Sequence, residues 1–155
     1  MDDEVDIIII NLFVGSLTKN GNRRQAKRLF LETLELIRRA IFLQQTNNKE
    51  TILKDPFIFI LEIILNLKPL VVLESKRVGG VIYRLPRLIS SPRRGYSIAV
   101  HWLIKSAMMR KERGFALKLA NEILDTARGK SSSLKKRNEL YDLAINNRPF
   151  VRYLK

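Results

Sequence analysis

Gly79-Gly80 sits between two runs rich in Val, Leu and Ile, residues 70–78 and 81–89, with Pro69 before the first run and Pro92 after the second. Glycine takes positive φ without a steric penalty, so this pair between β-formers predicts a two-residue hairpin turn. With Gly79-Gly80 as the loop, Val78 faces Val81, Arg77 faces Ile82, Lys76 faces Tyr83 and Ser75 faces Arg84. Both faces near the tip then mix a cation with an apolar or aromatic neighbour, whereas a hairpin lying flat on a core keeps its charges on one side. Strands of about eight residues reach about 25 Å at about 3.3 Å per residue. Two readings of the ribbon follow: an arm reaching into something negative, or a surface hairpin with solubilising charges.

The rest of the chain reads as helices. An apolar run over residues 6–19 predicts the first, stopped at Lys19-Asn20-Gly21-Asn22, with Gly21 suited to the left-handed position after a helix. Residues 23–43 predict a long second helix whose inward stripe runs from Ala26 through Phe30, Thr33 and Ile37 to Ile41; Arg23, Arg24, Lys27 and Arg28 crowd its start. Residues 44–54 are polar and turn-like. Asp55-Pro56 opens a third helix, to about Leu67, as cap and first helical residue. It is apolar nearly all round, which predicts the central buried helix. After the hairpin, Ser91-Pro92-Arg93-Arg94 starts a fourth helix to about Lys111, and a charged turn, Arg110-Lys111-Glu112-Arg113-Gly114, follows it. The fifth carries Ala116, Leu119, Ala120, Ile123, Leu124 and Ala127 at helical spacing and stops at Gly129. Ser131-Ser132-Ser133 caps a sixth, with Lys135-Lys136-Arg137 in its first turns and Leu140, Leu143 and Ala144 facing inward. A basic aromatic tail, residues 146–155, ends the chain with Arg148, Phe150, Arg152 and Tyr153. The expectation is a mainly α fold: one domain, residues 1–155, of six helices with a long protruding β-hairpin, about 70–90, between the third and fourth.

Charge points to the partner. The net charge is +14, and its placement is uneven. Residues 1–67 hold nine Lys/Arg and nine Asp/Glu, while residues 68–155 hold twenty and six. Such an excess calls for a polyanion, either nucleic acid or an anionic membrane. The apolar run Ile7–Leu17 falls short of the ~20 residues a spanning helix needs, and the run from Phe57 to Leu73 is interrupted by Glu62, Asn66, Lys68 and Pro69. No membrane contact is expected, and the acidic start Met1-Asp2-Asp3-Glu4 predicts no targeting segment. Cysteine is absent, which excludes disulfides, thiolate metal sites and thiol nucleophiles. One histidine, His101, no phosphate loop and no nucleophile elbow leave no catalytic or cofactor constellation. The chain does not read as an enzyme.

Nucleic-acid binding is the positive reading. Basic residues stand at three helix starts: Arg23, Arg24 and Lys27; Arg93 and Arg94; Lys135, Lys136 and Arg137. Helix N-termini offer amide groups to phosphate, and arginine adds bidentate pairing. The ribbon adds Lys76, Arg77 and Arg84 around Gly79-Gly80, and the tail adds Arg148 and Arg152. Tyr83, Phe150 and Tyr153 lie beside cations, placed to stack on unpaired bases. A helical DNA-binding regulator is the alternative, although no self-complementary seam for a dimer is visible, and a stand-alone oligomer is not expected.

The stretches Lys68-Pro69-Leu70, Glu74–Tyr83, Arg93-Arg94, Ala99-x-x-Trp102-Leu103, Leu119–Asp125, Lys135-Lys136-Arg137 and Asn147-Arg148-x-Phe150-x-x-Tyr153 together resemble the small-subunit ribosomal protein seven family. The match is nearly continuous from Lys68 onward and looser before it. The resemblance implies a helical domain with a β-ribbon that binds the 3′ domain of small-subunit ribosomal RNA and nucleates the subunit head. It also implies a ribbon near messenger and exit-site transfer RNA, and contact with the neighbouring ribosomal protein numbered eleven. Three departures stand out. The acidic start replaces the family's basic N-terminal arm, Asn22 follows Gly21 where a lysine is usual, and His101 precedes Trp102 where an arginine is usual. Residues 44–54 look like extra loop. Seventeen Ile and ten Asn suggest an AT-rich genome, so the expected setting is a mitochondrial ribosome, with a plastid or bacterial cytoplasm as alternatives.

Overall fold

The computed structural model describes residues 3–45 and 55–154. Among these residues, six α-helices and one hairpin follow in order: α1 (Asp3–Leu17), α2 (Arg23–Gln45), α3 (Pro56–Leu67), β1 (Val71–Val78), β2 (Val81–Leu88), α4 (Pro92–Met108), α5 (Phe115–Ala127) and α6 (Ser132–Asn146). This is the expected mainly α fold with the ribbon between the third and fourth helices. Within the basic aromatic tail, Arg148–Leu154 winds into a 3-10 segment and lies against β2.

The helical core is one continuous cluster running through α1 to α5. It contains Ile9 and Phe13 of α1, Phe30 and Ile37 of α2, Ile60 and Ile64 of α3, Val100 and Leu103 of α4, and Leu119 and Ile123 of α5. Residues at i, i+4 and i+8 share one face of a helix, which is how Ile9, Phe13 and Leu17 turn together into this core while Ile7 and Ile10 remain exposed. Phe13 stacks on Phe30 with ring centroids 5.1 Å apart, joining α1 to α2. On α4, Tyr96, Ala99, Val100, Leu103, Ile104 and Ala107 are buried along one face.

Three expectations about burial need correction. The third helix is not buried all round: Ile58 is 37% exposed and Leu65 40%, so apolar composition overstated its centrality. Ala127 and Leu143 are exposed, because each lies at the outer margin of its helical stripe. The link after α1 also differs. The helix closes at Leu17, and Asn20 (φ 51°) and Gly21 (φ 75°) both take left-handed conformations before α2. Asn22 then caps α2, its side-chain oxygen accepting from the Gln25 amide at 3.2 Å. Helix α2 runs two residues beyond the expected boundary at 43, and the remainder of the expected extra loop lies outside the described residues.

The hairpin register agrees with the reading from the sequence, with Val78 paired to Val81, Arg77 to Ile82, Lys76 to Tyr83 and Ser75 to Arg84. Gly79 (φ 57°) and Gly80 (φ 88°) supply the two left-handed residues that match the twist of the strands. At the base, the Ile89 amide donates to the Leu70 carbonyl at 3.0 Å. The Leu70 amide in turn donates to the Tyr141 hydroxyl of α6 at 3.2 Å.

Candidate nucleic-acid interface

Side chains directly opposite in a ladder share a face, so the register sorts the ribbon into two sides. One side carries Lys76, Tyr83, Glu74, Leu85 and Arg87; the other carries Arg77, Ile82, Ser75 and Arg84. The first side is the covered one. Leu85 has no exposed surface, and the Tyr83 ring lies 5.1 Å from that of Phe150 in the C-terminal 3-10 segment. The two rings, Tyr83 and Phe150, meet at a tilt of 43° and hold the tail to the ribbon. The opposite side is open. Arg77 and Arg84 are exposed diagonal neighbours on it, with Ile82 beside them 69% exposed. The mixed faces near the tip therefore separate into a packed side and an open one.

The other expected cations fall into two groups. Arg93 and Arg94 are exposed in the first turn of α4, where Pro92 occupies the first helical position and the Ser91 side chain makes no cap hydrogen bond. The helix starts beside the hairpin base: Gly95 faces the Pro69 carbonyl, and the Lys68 ammonium lies 5.0 Å from the Tyr96 ring centroid. Arg23, Arg24 and Lys27 are exposed at the start of α2, which packs chiefly on α1, α3 and α5. The structure does not bring them to the hairpin group. Arg148 and Arg152 are exposed on the tail, and the side chain of Tyr153 lies outside the described residues.

The basic cluster of α6 divides. Lys135 is exposed. Lys136 is half-buried and donates to Ser106 Oγ at 2.8 Å; burial, and then the nearby charge of Lys105, lower its pKa. Arg137 donates to the Asn66 carbonyl in the last turn of α3, where a cation suits the negative end of the helix dipole. Two of the three cations thus have jobs inside the protein.

Sequence reading missed the largest cluster of ion pairs among the described residues. Arg110, just past the end of α4, forms ion pairs with Glu112 at 2.9 Å, Glu122 at 2.9 Å and Asp125 at 2.8 Å. Glu122 is 1% exposed. Its other oxygen accepts from the Ser133 hydroxyl at 2.7 Å and the Ser133 amide at 3.2 Å. Ser131 caps the next amide, that of Leu134. The start of α6 therefore holds a buried carboxylate, which offsets the dipole penalty of the cations that follow. Desolvation works against the Arg110 charge, but hydrogen bonds to Glu122, Asp125 and Glu112 outweigh it and raise its pKa. The Glu112 carboxyl is held below its ordinary range by its own backbone N–H and then by Arg110. No local pattern in the sequence marks Glu122 as buried, since the apolar residues of α5 keep their helical spacing beside it.

The family model for ribosomal protein S7p/S5e matches residues 2–148. The chain belongs to that family. Relatives named small ribosomal subunit protein uS7 include that of a Thermus thermophilus strain, 30% identical over 94% of this chain and 86% of the relative. Those of Psychrobacter cryohalolentis (33%, over 91% and 83%) and Nitratiruptor (34%, over 94% and 86%) are similar in extent. Membership in the ribosomal protein S7p/S5e family makes this a structural, non-enzymatic ribosomal protein. No helix among the described residues is long and apolar enough to cross a membrane.

Proposed function

We propose that the chain binds the 3′ domain of small-subunit ribosomal RNA, helps to nucleate the subunit head, and presents its ribbon toward messenger and exit-site transfer RNA. The observation that carries this reading is the open ribbon face, where Arg77 and Arg84 stand exposed with the opposite face occupied by the tail. An open basic face backed by a packed one suits a polyanion on the outer side and intramolecular contacts on the inner. The exposed cations Arg93, Arg94 and Lys135 extend that surface along α4 and α6, with Arg148 and Arg152 on the tail and Arg23, Arg24 and Lys27 as a second patch. Gly79 and Gly80 set the tip geometry. Protein contacts, with the neighbour numbered eleven among them, complete the assembly. The Ile- and Asn-rich composition supports a mitochondrial ribosome as the setting.

The test is sedimentation of tagged protein from fractionated cells, under magnesium conditions that preserve ribosomes. Co-migration with small subunits of the mitochondrial fraction, and protection of 3′-domain nucleotides from chemical probes, are expected. Recovery only in free or membrane fractions would defeat the reading, and recovery with another compartment's ribosomes would defeat the mitochondrial assignment alone.

A further inference from the structure

We infer that Glu122 is a positioning residue for the RNA-binding surface: it anchors the start of α6 and, through α6, the base of the hairpin. The inference rests on the RNA-binding reading for its consequence, but its structural half stands independently. Glu122 lies on α5 and is buried away from solvent. One carboxylate oxygen meets Arg110, beyond the end of α4; the other meets the amide and hydroxyl of Ser133 in the first turn of α6. A single side chain thus ties together the exit of α4, the body of α5 and the entry of α6.

Helix α6 passes this constraint on. One turn along, Lys136 binds Ser106 of α4. Arg137 binds the Asn66 carbonyl just ahead of the ribbon. Further along, Tyr141 accepts from the Leu70 amide, the residue whose carbonyl closes the hairpin base against Ile89. The helix acts as a strut between the Glu122 anchor and the ribbon. Rotation or sliding of α6 at its entry would shift Lys135, and would shift the bond that fixes the first strand. Only an acceptor at both oxygens fits this place, because donors approach from both sides. A glutamine offers one oxygen and one NH₂, and whichever way it turns, the NH₂ meets a donor. Glu122→Gln therefore removes the anchor at nearly constant volume.

The experiment compares the full chain with Glu122→Gln, Ser133→Ala and Lys135→Gln. Two readouts are used: amide hydrogen exchange of the free protein, and binding of a transcript of the small-subunit 3′ domain across a salt series. In Glu122→Gln, faster exchange is expected at Ser133 and Leu134 and also at Leu70 and Ile89, with the amides of α1 and α2 unchanged. Affinity should fall about tenfold if the anchored arrangement drops to about a tenth of the population. The salt slope should stay as in wild type, because no phosphate contact has been removed. Lys135→Gln should do the opposite, flattening the slope and leaving exchange alone. Ser133→Ala removes one donor without touching the buried charge and should show the same pattern more weakly, which keeps the inference testable if Glu122→Gln does not fold. Unchanged exchange at Leu70 and Ile89 in a variant whose Ser133–Leu134 region has loosened would overturn the strut. Loosening at both ends with unaltered affinity would overturn the positioning role. Should wild type itself fail to bind the transcript, the RNA-binding reading falls, and the exchange pattern alone still decides whether Glu122 anchors the hairpin base.

Discussion

Arg110 places one guanidinium among three carboxylates, and only 23% of its side chain is exposed. Its removal would leave Glu122 as a buried charge with hydroxyl and amide donors alone. Breaking a buried ion pair by deleting one partner is far more costly than losing an exposed one, because the remaining charge keeps its desolvation penalty. Arg110→Ala should destabilise the protein by about 3 kcal/mol, a fall in Tm of roughly 10 °C for a chain of this size, read by thermal melts. Acid should act on the same cluster. Because the Glu112 carboxyl is held below its ordinary range in the folded state, its stabilisation is present above the unfolded pKa and lost as pH falls through the folded one. The Tm difference between wild type and Glu112→Gln should be constant near neutrality, shrink below about pH 4.5 and vanish in stronger acid. Arg110, its pKa raised above an already high value, stays protonated throughout that range and adds no pH dependence. None of this was legible in the sequence, where Arg110-Lys111-Glu112-Arg113-Gly114 reads as a charged turn. Glu112 lies within that turn, but Glu122 and Asp125 lie twelve and fifteen residues on, in α5, and no local pattern links them to Arg110.

Among the elements, the hairpin was the most legible and α6 the least. Register follows from a period of two and a fixed loop, so locating Gly79-Gly80 was enough to pair every strand residue. Packing of the tail onto Tyr83 involves residues far apart in sequence and left no such trace. Deleting Lys76–Arg84 should leave the helical signal in far-UV circular dichroism almost intact while releasing the Arg148–Leu154 segment, detected as new protease sensitivity at the C-terminus. Loss of the helical signal would mean that the ribbon tip is part of the core. For α6, three cations in the first turns look like a cost accepted for phosphate binding, but Glu122 already offsets that cost from within. Replacing Lys135, Lys136 and Arg137 together with Gln should flatten the salt dependence of RNA binding by about one unit of log–log slope, since of the three only Lys135 is exposed. The same variant should melt at lower temperature than wild type, because the Ser106 and Asn66 bonds go with it.

At the scale of the whole molecule, charge and core divide the chain differently. All of the net charge lies in residues 68–155, which invites the idea of a basic module attached to a neutral helical half. Composition can reveal that asymmetry, but it cannot show that the buried faces of α4 and α5 need partners from α1, α2 and α3. Val100, Leu103, Leu119 and Ile123 are all fully buried, and they share one cluster with Ile9, Phe13, Ile37, Ile60 and Ile64. Cutting the chain before Lys68 would expose those faces at once. The fragment 68–155 should therefore lack a cooperative thermal transition, although it retains the ribbon and every excess cation. It should still bind the 3′-domain transcript, because phosphate neutralisation needs charge more than shape. That binding should depend on salt at least as steeply as the intact protein's, and it should be competed equally well by unrelated RNA. Melting curves and competition titrations on the fragment and the full chain provide the check. A fragment that melts cooperatively and keeps its preference for the 3′ domain would show that the basic half folds alone, and that α1 to α3 are an addition to the binding module and not its support.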